Sequence, residues 1–251
     1  MGAFHALFIA AGEARAKEGG LVTFDLYLAL DPPVNLEHSM LQLDRFYNAP
    51  LSFPAEERGR RIEEIFGKVL YLSHGDLQPG MELPFTRLEA EFLIGLAYRM
   101  DLQYTILQTQ DRHDRGVLLT PRSRLRRAPA FREASEYSFL EYFYAFLLPY
   151  YAERDPRIGF DEAGARRLFD DCDLRSIEAE LAANDRVRLF ANENDFLLRP
   201  EDLEWLRAHL GDRAHLFPAG GHLGNLHRKS IQEAIEQVVK EASVEANATR
   251  D

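Results

Sequence analysis

The spacing of apolar positions divides the chain into three regimes. Near the start, Phe4, Leu7, Phe8 and Ala11 share a helical face, and Ala3, Ile9 and Ala10 make the other faces apolar. Residues 2 to about 17 are therefore expected to form a helix buried nearly all round, ended by Gly19-Gly20. A short run, Phe24 to Leu30, reads as a strand. It stops at Asp31-Pro32-Pro33, because proline removes ladder donors and restricts the residue before it. From residue 36 to about 180 the period is helical and no strand pattern is convincing. Glu56 to Leu72 carries Ile62, Ile65, Phe66, Val69 and Leu70 on one side, and Arg87 to Gln108 has Leu88, Phe92, Leu96 and Ala97 among its apolar positions. Glu136 to Ala152 places Phe139, Tyr142, Phe143, Phe146 and Tyr150 in an aromatic stripe; Asp161 to Phe169 and Leu174 to Leu181 are shorter helices. Such a stripe is more often core than the lining of an apolar pocket.

The last regime changes period twice. Val187 to Ala191 is a short apolar run that ends in the polar turn Asn192 to Asp195. A helix pattern follows, opened by Pro200 and acidic residues and closed by Gly211. Then comes a second short run, His215 to Phe217, and a glycine-rich turn carrying His222. Strand, turn, helix, strand, turn is the βαβ unit of a parallel sheet. Side chains in loops at the carboxyl ends of parallel strands are placed to act on ligands, and Asp195 and His222 occupy two such loops. A carboxylate that orients a histidine is two thirds of a nucleophilic triad. A final helix is expected over residues 227 to 242, with Ile231, Ala234, Ile235 and Val238 on one face.

The motifs ANEND and PAGGHLGN, separated by a helix, resemble the last two strand ends of the α/β-hydrolase superfamily. The resemblance covers the opening helix, Phe24 to Asn35, and Arg186 onward. It implies an α/β fold in which residues 1–35 and 181–251 are an incomplete hydrolase core, its last three parallel strands in the order Phe24, Val187, His215. Residues 36–180 would be a helical lid. It further implies Asp195 as acid and His222 as base, with chain order nucleophile, acid, histidine. Asp31 is the alternative acid, and Glu193 a third candidate. The implied activity is that of a serine hydrolase cleaving ester or similar acyl bonds of an apolar small-molecule substrate, with no cofactor. No serine stands in G-x-S-x-G, nor does Cys172. Met1-Gly2, followed by an apolar helix, matches the second half of that motif, so a nucleophilic serine is expected just before Met1 and the literal chain is expected to be inactive. The rival is a non-enzymatic helical binding or scaffold protein derived from a hydrolase.

Composition narrows the alternatives. A net charge of −11 over 251 residues argues against nucleic acid as a partner. A single cysteine excludes an internal disulfide framework. No apolar run approaches the ~20 residues of a membrane span, and the N-terminal stretch lacks the basic region of a signal peptide, leaving a cytoplasmic default. Ser73-His74-Gly75-Asp76 has the right residue types, but neighbours in sequence do not make a triad, and it reads as an interhelical loop. His209, His215, His222 and His227 fall on different elements, and no metal-ligand spacing occurs. Arg122 to Arg127 is a basic loop whose expected place is a solvated surface.

Overall fold

The computed structural model describes residues 2–15, 23–75, 83–121 and 127–248. In chain order the elements are α1 (Gly2–Arg15), β1 (Tyr27–Leu30), α2 (Leu36–Tyr47), α3 (Ala55–Ser73), α4 (Arg87–Arg112), α5 (Ala128–Ala134), α6 (Phe139–Tyr142), α7 (Leu148–Ala152), α8 (Glu162–Asp171), α9 (Glu178–Ala183), β2 (Val187–Asn192), α10 (Pro200–Leu210), β3 (Ala214–Phe217) and α11 (Lys229–Ala248). They divide into two compact units, 1–39 with 169–251 and 40–168. The expected helix end Gly19-Gly20, Asp76 and residues 122–126 of the basic loop lie outside the described residues.

The first unit is α/β. Its three strands are parallel in the order β1-β2-β3, with Tyr27 opposite Val187 and Leu189 opposite Ala214. The central strand is buried on both faces, as a parallel strand must be. Val187, Leu189 and Ala191 join a core made with Phe4, Leu7, Ala10 and Ala11 of α1 and Leu203, Leu206 and Leu210 of α10. Phe190, which alternates with them, stacks on His215 at 4.5 Å between ring centres. Leu174, Ile177 and Leu181 belong to this core too, which is why the unit resumes at residue 169 rather than at 181. Two expectations need correction. The first strand begins at Tyr27, not Phe24: Phe24 is 45% exposed, and its carbonyl is taken by the Arg186 guanidinium at 2.9 Å instead of by a ladder partner. The opening helix is buried on one face only, with Ile9 48% exposed, because a single sheet supports it.

A charged cluster ties α10 to the segment before α9. Asp202 is fully buried. It accepts from the Arg199 backbone N–H at 2.9 Å and side chain at 2.9 Å, and from Arg175 at 2.6 Å. Burial raises its pKa, but these donors overcome that and hold the carboxyl below its ordinary range. A depressed folded-state pKa means stability that is complete above the ordinary aspartate value of about 3.9 and is lost as pH falls through the lower folded value. Asp202→Ala should cost about 2 to 3 kcal/mol at neutral pH, less than a fully buried pair because both arginines are partly exposed. It should also flatten the acid limb of a urea-midpoint-versus-pH curve.

The second unit is helical. Gly95 of α4 meets α2 so closely that a Cβ there would lie 2.1 Å from the Tyr47 nitrogen. One turn along, Arg99 donates to Asp44 Oδ1 at 2.7 Å, and the Phe139 N–H donates to Asp44 Oδ2 at 2.7 Å. The Arg99 guanidinium also lies over the Tyr47 ring, 4.4 Å from its centre. The helix expected over residues 136 to 152 is interrupted. A capping box of Ser138 and Glu141 opens α6, and Phe143–Leu147 forms a π-helical turn before α7. Pro149 cannot donate to the Ala145 carbonyl, and a wider turn absorbs that gap. The aromatic stripe is core: Phe139, Tyr142, Phe143 and Phe146 are buried. On α3 only Ile65 of the expected apolar side is buried, while Phe66, Val69 and Leu70 are exposed. No helix among the described residues is long and apolar enough to cross a membrane.

Candidate functional site

The two strand ends predicted to carry chemistry meet. His222 Nδ1 and Asp195 Oδ2 are 2.9 Å apart, with the Asp195 side chain fully buried and that of His222 28% exposed. The turn that presents Asp195 is self-bracing. The Asp195 N–H donates to the Asn192 carbonyl at 3.0 Å, and Asp195 Oδ1 accepts from the Leu197 N–H at 2.9 Å. Its other oxygen is left for the histidine. Since an ionised carboxylate only accepts, the imidazole donates from Nδ1, which leaves Nε2 as the free acceptor. Phe196 covers the ring at 5.8 Å between centres.

The histidine loop is held by the same turn. Asn194 Oδ1 accepts from the N–H groups of both Gly220 and Gly221, at 2.9 and 2.8 Å. Asn192, 1% exposed, donates from Nδ2 to the Gly221 carbonyl at 2.8 Å and accepts from the Asn225 amide. Gly221 turns at φ 58°, a conformation glycine adopts without steric cost. Gly220 is required for closeness: a Cβ there would stand 2.4 Å from Asn192 Oδ1 and 2.6 Å from Asn225 Cγ. Gly220→Ala should therefore cost ~1–3 kcal/mol. In a chain of this size that is a fall of very roughly 2–12 °C in melting temperature, with the His222 side-chain signals broadened in the same sample.

Asn192, Asn194 and Asn225 lay within the quoted motifs but carried no expected role. Their function as loop anchors depends on which turn faces which, and only their polarity at strand ends hinted at it.

The alternative acids are otherwise engaged. Asp31 is 4% exposed and accepts from the Leu223 N–H at 2.8 Å and the Asn192 N–H at 3.1 Å. Burial pushes its carboxyl above the ordinary range, against the pull of the Leu223 N–H. Glu193 pairs with Arg207. The remaining histidines are dispersed. His209 sits 3.1 Å from Glu178, His215 stacks on Phe190, and His74 bonds the Leu70 carbonyl of its own helix end at 2.7 Å. No cluster of three metal-ligating side chains occurs among the described residues. Cys172 is half-buried, and burial raises its thiol pKa, the reverse of what a nucleophile needs. A cavity of about 340 Å³ in the helical unit is lined by Leu107, Gln110, Asp114, Leu118 and Thr120 and contains none of the candidate residues.

Comparison of the chain with protein-family models, with curated proteins and with solved structures returns no match.

Proposed function

We propose that this chain carries the acid–base half of an α/β-hydrolase-type serine hydrolase acting on acyl esters of apolar substrates. The observation that carries the reading is the 2.9 Å contact between Asp195, fully buried, and His222 Nδ1, formed between the ends of adjacent parallel strands. Asp195 fixes the imidazole tautomer and stabilises the cation that forms when Nε2 takes a proton. His222 then serves a nucleophilic hydroxyl, accepting its proton during attack on the acyl carbonyl and returning it to the leaving group. Partial exposure of the His222 side chain is compatible with this role, because a proton-transferring ring must be reachable by substrate. The three parallel strands and the helical unit are compatible with the architecture such an enzyme uses.

The test is to express the reading frame together with the codons that precede Met1 and to treat it with a serine-reactive phosphonate. Labelling of one serine, abolished by His222→Ala in a protein that still folds, is the expected result. A folded product in which no serine is labelled would overturn the enzymatic reading and leave the binding or scaffold role.

A further inference from the structure

Among the described residues two that are not glycine hold φ in the left-handed region, Asp31 at 44° and Leu223 at 60°. Aspartate visits this region more readily than most residues, but leucine does so only where the surroundings enforce it. These two are joined to each other: the Leu223 N–H donates to Asp31 Oδ2 at 2.8 Å. Leu223 directly follows His222, so its backbone angle sets how the chain leaves the histidine. The other Asp31 oxygen accepts from the Asn192 N–H at 3.1 Å, at the end of the strand that leads into the Asp195 turn. The Asn192 side-chain amide lies 3.3 Å from each Asp31 oxygen and 2.8 Å from the Gly221 carbonyl. One buried carboxylate thus grips both the strand end that bears the acid and the loop that bears the histidine. A residue serving only to turn the chain before Pro32 has no need to be buried near a second carboxylate.

We propose that Asp31 is a positioning residue for His222: its carboxylate locks the left-handed turn at Leu223 onto Asn192, which delivers the imidazole to Asp195. Asp31 acts through the backbone and leaves the ring to Asp195. The inference rests on the reading of Asp195 and His222 as an acid–base pair.

The experiment uses the ¹⁵N-labelled 251-residue chain and reads the His222 tautomer from its ring-nitrogen shifts, assigned with His222→Gln. Asp31→Ala, Asp31→Asn and Asp195→Ala are compared, with far-ultraviolet circular dichroism reporting folding. Asp195→Ala should convert the fixed Nδ1–H form to a tautomer mixture. Asp31→Ala should shift the ring toward the same mixture although it removes no ring contact. Asp31→Asn, which keeps one acceptor oxygen, should lie between. Adding Leu223→Gly to Asp31→Ala should restore the fixed form, because glycine holds the turn without the clamp. If Asp195→Ala alters the tautomer and Asp31→Ala does not, the positioning role is overturned while the pair stands. If Asp195→Ala leaves it unchanged, the pair itself fails and the proposal with it. Should Asp31→Ala not fold, a wild-type tautomer in Asp31→Asn overturns the proposal.

Discussion

Asp195→Asn should lower kcat by about 10⁴-fold in a reading frame that supplies the nucleophile, with little change in KM. That is the loss expected when the carboxylate that sets the histidine tautomer is replaced by an amide. The amide keeps the shape and the Leu197 contact. It can present its NH₂ to Nδ1, however, and a ring that accepts at Nδ1 carries its proton on Nε2. Such a ring cannot take a proton from a hydroxyl. Because the defect lies in protonation and not in substrate contact, it falls on kcat. Glu193→Gln, two residues away, should change kcat by less than about threefold, since that carboxylate is spent on Arg207 at the surface. Initial rates on a p-nitrophenyl ester, with both variants at equal folded concentration, check this. Equal losses in the two would point to a general disturbance of the turn.

Gly95→Ala should damage the helical unit severely, at about 3 to 5 kcal/mol. The added carbon would stand 2.1 Å from the Tyr47 nitrogen and 2.6 Å from the Phe46 carbonyl carbon, both backbone. No rotamer change relieves such a contact, so α2 must move away from α4. Moving it pulls Asp44 from Arg99, which lies on the same face of α4 one turn beyond Gly95 and is 4% exposed. Overpacking then adds to the loss of a buried ion pair, in which each partner is costly to leave alone. Gly59→Ala and Gly67→Ala, in α3 with open space around the added carbon, should instead stabilise by ~0.5–1 kcal/mol. The same substitution is expected to change sign with position, and urea midpoints of the three variants measure it.

The parts of the fold that were legible in the sequence are those governed by local period. Val187 to Ala191 and His215 to Phe217 are short apolar runs ended by polar turns, and both are strands, each extended by one residue. Their parallel pairing followed from the helix between them. Phe24 failed because a short run ended by prolines cannot tell a strand from an approach segment. What decides it is whether a ladder partner exists, and the Arg186 side chain takes that place. The π-helical turn was signalled by Pro149 inside an aromatic run, yet the run's continuous helical spacing masked it. Arg99 and Asp44 gave no signal, because a buried ion pair between two helices is set by how the helices cross. At the candidate site, Asp195 and His222 were visible as two chemically suited residues on consecutive strand ends. Asn192, Asn194, Asn225 and the engagement of Asp31 were not. Their contacts arise only when three loops from distant parts of the chain are brought to one edge of the sheet.

The central claim is that Asp195 holds His222 with Nδ1 protonated and Nε2 bare. The most direct measurement is the ring ¹⁵N spectrum of the unmodified chain at about pH 8. His222 should give the shifts of a fixed Nδ1–H tautomer, while the exposed His5 should give those of an exchanging mixture. A His222 ring that matches His5, or one fixed with its proton on Nε2, would contradict the claim.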